Sequence, residues 1–136
     1  MKPVLTPELY WLVLTVLMTG LFWIPYVLQR SLEYGVLTAL WSPRGLPHID
    51  SPWAQRMLRA HRNAIENLAL FAPLVLAVHV TGAGNSTTAM ACLVYFIARA
   101  AHFFIYTFAI PLLRGVAFLS GFAAQVVLAL TLLGLT

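Results

Sequence analysis

Four apolar runs, each close to the roughly 20 residues that cross about 30 Å of hydrocarbon, occupy most of this 136-residue chain and leave few folds open to it. The first opens at Thr6-Pro7-Glu8, an N-cap followed by proline at the first helical position, and reaches about Arg30. Its apolar stretch from Leu9 to Leu28 is too long for the apolar region of a signal peptide, so it reads as a retained span. The second starts near Ser51-Pro52, again a cap followed by proline, and continues to about Thr81. Its charged first half either projects beyond the hydrocarbon or lines an interior. The third covers about 87–110, stopped by Pro111, and the fourth about 113–135. Alternation of polar and apolar residues is absent, and an open sheet edge cannot sit in lipid. The expectation is a single all-α domain over residues 1–136, an integral membrane bundle of four transmembrane helices.

The remaining segments are short, apart from Ser31 to Asp50, where Pro43, Gly45 and Pro47 predict an irregular connection. Pro25, Pro73 and Pro111 are expected to kink or end helices, since each removes a backbone donor. Charged residues make up only 9% of the chain and hydrophobic residues 61%, against about 25% and 45–50% in ordinary soluble domains. A soluble enzyme, a disordered tail and a secreted disulfide scaffold are thereby excluded. The single cysteine, Cys92, lies in an apolar run and reads as a small packing residue.

Where the few charges stand is more telling than their sum. Arg30, Arg44, Arg56, Arg59 and Arg62 cluster in and beside the first connection, and Arg114 lies in the third. The opposite side carries only Lys2 among its basic residues. The positive-inside rule then places the first and third connections in the cytoplasm and both termini away from it.

Two polar faces stand out against this apolar background. Arg59, Arg62, Asn63 and Glu66 fall at i, i+3, i+4 and i+7, one face of a helix. Arg99, His102 and Tyr106, at i, i+3 and i+7, form another. Arg99 lies deep in an apolar run, where an arginine costs about 2.5–3.5 kcal/mol on insertion scales and needs a partner facing a polar interior. Glu66, the one acidic residue set well within a span, is the expected partner. Arg56, Arg59 and Arg62 also have a plainer explanation, snorkelling toward anionic headgroups. The guanidinium groups, amide, carboxylate and phenol together suit a small anionic ligand, because arginine forks bind carboxylates in pairs of hydrogen bonds.

The run Arg59-Ala60-His61-Arg62-Asn63-Ala64-Ile65-Glu66-Asn67 resembles the second-helix signature of the membrane-associated proteins in eicosanoid and glutathione metabolism, the MAPEG family. Arg99-Ala100-Ala101-His102, followed by Tyr106, Pro111 and Arg114, is similar to the third-helix signature of the same family. The resemblance covers essentially the whole chain and points to a bacterial member similar to the microsomal glutathione transferases, in an inner membrane. It implies a homotrimer of four-helix subunits that binds glutathione between neighbours near the cytoplasmic side. Carried over by position, Arg59, Arg62, Asn63 and Glu66 hold the ends of the tripeptide, and Arg99, His102 and Tyr106 line the other wall. Arg30 meets a glutathione carboxylate, and Arg114 stabilises the thiolate as the catalytic residue. Gly115 stands where the prostaglandin synthase branch has a serine, which disfavours that isomerase activity.

The function expected from the resemblance is that of a glutathione transferase or peroxidase acting on lipophilic electrophiles that arrive from the bilayer. The alternative is a protein that binds glutathione or lipid without chemistry; Arg59, Arg62, Asn63 and Glu66 together argue against it. A haem carrier is disfavoured because His48, His61, His79 and His102 offer no pair at i, i+3 or i+4. The sequence holds no metal-ligand cluster and no phosphate-binding glycine loop, and its basic residues are too confined for a nucleic-acid surface.

Overall fold

The computed structural model describes residues 1–41 and 49–136; Pro43, Arg44, Gly45, Pro47 and His48 lie outside the described residues. The helices are α1 (Pro7–Leu21), α2 (Trp23–Tyr34), α3 (Val36–Leu40), α4 (Pro52–Thr81), α5 (Ser86–Thr107) and α6 (Pro111–Leu132), and the described residues contain no strand. Taking α1 and α2 together, four helical stretches are long and apolar enough to cross a membrane.

Local chemistry sets most of the helix ends. Thr6 caps α1 by accepting from Leu9 N, with Pro7 behind it. The first span is not one continuous helix. It breaks between Leu21 and Trp23, and the missing N–H of Pro25 leaves the Leu21 carbonyl without its usual donor. Within the long connection, α2 runs on to Tyr34 and α3 follows directly, so its first ten residues are largely helical. Pro73 is absorbed inside the 30-residue α4. Gly82 ends that helix at φ 68°, a left-handed conformation that favours glycine, and donates to His79 O. Asn85 and Thr88 then form a capping box that opens α5.

Ser51 begins α4 differently from the expected cap. Its side chain does not accept from the helix; its hydroxyl and N–H both donate to Glu33, which also accepts from Asp50 N. One carboxylate on α2 thus gathers the start of α4.

The interior divides into two apolar clusters. One is built on Phe71, Val75, Tyr95, Ala124 and Leu128, with the Phe71 and Tyr95 rings stacked at 3.7 Å. The other holds Phe22, Tyr26, Met57, Ala60 and Phe103, with Phe22 and Phe103 stacked at 3.6 Å. Lipid tails are as apolar as these side chains, so close van der Waals packing rather than burial from water holds the helices together. Along α4 and α5, the junction of the two clusters falls near residues 63–67 and between residues 95 and 103. That junction is where the polar residues meet.

Candidate functional site

Asn63 on α4 and Arg99 on α5 are the centre of the polar layer. Arg99 Nη2 donates to Asn63 Oδ1 at 2.7 Å. Arg99 is only 1% exposed, and its Nε and Nη1 have no hydrogen-bond partner among the described residues. The partner is therefore a carboxamide and not the expected Glu66 carboxylate. The physical reason lies in α4: Glu66 stands three residues further along, about 4.5 Å up the axis, on an exposed part of the surface. Asn63 faces α5.

Behind this pair, the amide groups extend the layer to α6. Asn67 Nδ2 donates to Asn63 O at 2.9 Å, and Gln125 Nε2 donates to Asn67 O at 3.2 Å. Gln125 is buried, the only amide in its apolar helix, and that isolation is the signal by which the sequence reading could have singled it out. Gly121, one turn earlier on α6, makes the space for Arg99. A Cβ at Gly121 would lie 3.5 Å from Arg99 Cδ and 3.8 Å from the Tyr95 ring. Tyr95, one turn before Arg99, shares its helical face, whereas no periodicity marks Gly121, on another helix, as a neighbour of the arginine.

Toward the other end of α5, His102 and Tyr106 follow Arg99 on one face, their rings 5.7 Å apart. His102 is buried, with Nδ1 unpartnered among the described residues, and also lies near Phe118 of α6. Arg114, exposed in the first turns of α6, holds its Cζ 5.0 Å from the Tyr106 ring centroid. That distance lies within the range of a cation–π contact. Tyr106 and Arg114 are thus brought together across the α5–α6 turn, as are Asn63 and Arg99 across α4 and α5.

The other predicted site residues are spread differently. Arg59, Arg62 and Glu66 are exposed along α4 and form an open polar face. Arg30, on α2, is buried and its Nε lacks a hydrogen-bond partner. Its neighbour one turn back, Tyr26, hydrogen-bonds instead to His61 Nδ1 at 2.7 Å. Arg56 is not free to reach headgroups through its Nε, which donates to Thr107 O at 2.8 Å and so satisfies a carbonyl at the C-terminal end of α5.

The arrangement is a wall from three helices with guanidinium donors, an amide and a phenol, open on the α4 side at Arg59, Arg62 and Glu66. It can bind anions and hydrogen-bonding groups. A family model described as MAPEG family matches residues 8–134, nearly the whole chain. No curated protein and no solved structure matches it.

Proposed function

Because the chain belongs to the MAPEG family and is a membrane protein of that glutathione and eicosanoid metabolism family, we propose that it is a glutathione transferase acting on lipophilic electrophiles and, with a second glutathione as reductant to give the disulfide, on peroxides. The observation that carries this reading is the position of Arg114. It stands in the first turns of the 22-residue α6, where the helix dipole disfavours a cation and favours an anion. The Tyr106 ring holds it there. A guanidinium in that place does little for the helix and much for an anionic sulfur.

A guanidinium is a poor proton acceptor, so Arg114 would stabilise the thiolate as a cation and leave the proton to another acceptor. The thiol proton passes to water. A sulfur electron pair then forms the S–C bond while the electrophile's electron pair departs with its leaving group or moves onto a conjugated acceptor. The proposed contacts divide by exposure. Arg59, Arg62, Asn63, Glu66 and Tyr106 hold the tripeptide, and Arg30 meets a carboxylate. Arg99 and His102, both buried, act from behind by fixing Asn63 and Tyr106. The proposal includes a homotrimer in which neighbouring copies complete the site, a bilayer location with both termini non-cytoplasmic, and a bacterial inner membrane.

Titration calorimetry with glutathione in detergent, paired with a conjugation assay, tests the reading. The parent protein is expected to bind and turn over. Arg114→Ala should keep binding while losing at least roughly 10-fold in turnover, the effect of about 1.4 kcal/mol in the barrier. Glu66→Gln should weaken binding itself. Full conjugating activity in Arg114→Ala would remove the catalytic role from that residue.

A further inference from the structure

Among the described residues Glu8 is the only buried carboxylate, 4% exposed, and it lies at the end of the bundle away from Arg59 and Arg114. Glu8 stands in the first turn of α1, where the helix dipole favours an anion, yet burying a carboxylate still costs free energy unless it is paired. This one is built in from two sides. Thr88 Oγ1 donates to its Oε1 at 2.6 Å. Gly84 closes over the same oxygen, where a Cβ would lie only 3.0 Å away. Yet its bonded partner is a neutral hydroxyl, and the basic side chains at this end, Lys2 and His79, are both exposed.

Beside Glu8 opens a hollow of about 300 Å³, walled by Thr6, Gly84, Asn85 and Ser86. Ser86 also stands at the mouth of a groove of about 630 Å³ between α5 and α6, lined by Met90, Val94, Ala123 and Val127. From Ser86 to Val94 the groove follows eight residues of α5, about 12 Å, close to half of the ~30 Å hydrocarbon thickness. It is one leaflet deep. Its hydroxyls cluster at the mouth, in Ser86 and Thr87, while Ser120 turns its own to Val116 O. A negative group at headgroup level thus adjoins an apolar channel of one-leaflet depth.

We propose that this is a lipid site, taking the primary ammonium headgroup of a phospholipid at Glu8 and one of its acyl chains in the α5–α6 groove. The carboxylate repels an anionic headgroup, and an ammonium brings three donors to its free lone pairs. The site is independent of the glutathione reading, since none of its residues belongs to the polar wall.

Thermal unfolding of delipidated protein in neutral detergent tests it, with phosphatidylethanolamine, phosphatidylglycerol or free ethanolamine added in turn. Phosphatidylethanolamine alone is expected to raise Tm by roughly 4 °C or more. Glu8→Gln, which keeps the acceptor for Thr88, and Ala123→Trp, which fills the groove, should each abolish that rise. Both should leave glutathione binding, measured on the same samples, as in the parent. An equal rise with phosphatidylglycerol or free ethanolamine overturns the proposal, as does a rise retained in Glu8→Gln. Should Glu8→Gln fail to fold by circular dichroism, the Ala123→Trp response decides: an undiminished rise overturns the site.

Discussion

Arg99 is an uncompensated cation set between two apolar clusters, and one amide oxygen is the hydrogen-bond acceptor it has found. Hydrogen bonds to charged groups contribute about 1.5–3 kcal/mol, and removing one partner leaves the other's desolvation unrelieved. Asn63→Leu is therefore expected to lower stability by about that amount. Arg99→Met in the same chain should recover part of the loss, because a buried charge and its partner are often replaced together at little cost. A double-mutant cycle read by thermal unfolding in detergent checks this; additive effects of the two substitutions would remove the coupling. The need of Arg99 for a partner was legible from its place in an apolar run. Which partner it took was not, because Asn63 and Glu66 share one helical face and only the rotation of α4 against α5 separates them.

Helix ends and helix contacts obey different rules here. The starts of α1 and α5 follow from short-range signals, the Thr6-Pro7 cap, which the sequence reading used, and the Asn85–Thr88 box, which it did not. The start of α4 was misread in detail because Ser51 is served by Glu33, 18 residues back in the chain. Glu33→Ala should accordingly lower Tm and speed amide exchange at Asp50 and Ser51. Gly121 gives a sharper test at the α5–α6 contact. Gly121→Ala places its Cβ in ordinary contact with Arg99 and gains helix propensity, so it should be neutral or stabilising. Gly121→Leu overfills the same space and should destabilise by about 1–3 kcal/mol. Thermal melts of the pair, and glutathione binding measured beside them, distinguish steric crowding at Arg99 from a general loss of fold.

At the scale of the molecule, the open face of Arg59, Arg62 and Glu66 is the feature that one subunit leaves unfinished. The proposed homotrimer covers it. Native mass spectrometry in detergent should then show a species of three 15.0 kDa chains, and a monomer that binds glutathione at full affinity would argue against a shared site. Orientation is tested separately, in a Cys92→Ala background. A cysteine introduced at Lys2 should react with an impermeant maleimide from the non-cytoplasmic side, and one at Leu113 only after the membrane is opened. The family and the four spans are both legible in the sequence. The spans rest on apolar length, and the family on the resemblance of two runs, one from Arg59 to Asn67 and one from Arg99 to Arg114, to its helix signatures.

The sequence alone determined that this chain lives in a bilayer, how many times it crosses, and that its polar residues form helical faces. Span length is set by bilayer thickness, and residues at i, i+3 and i+4 share a face whatever surrounds them. The tertiary structure alone decided which faces meet. It chose Asn63 over Glu66 for Arg99, recruited Gln125 and Gly121 from α6, and turned Arg56 to a carbonyl at the end of α5. It also buried Glu8 against residues 76 and 80 positions away. Those choices depend on helix rotation and axial offset, which arise from packing across the whole bundle and leave no periodic trace in any one segment.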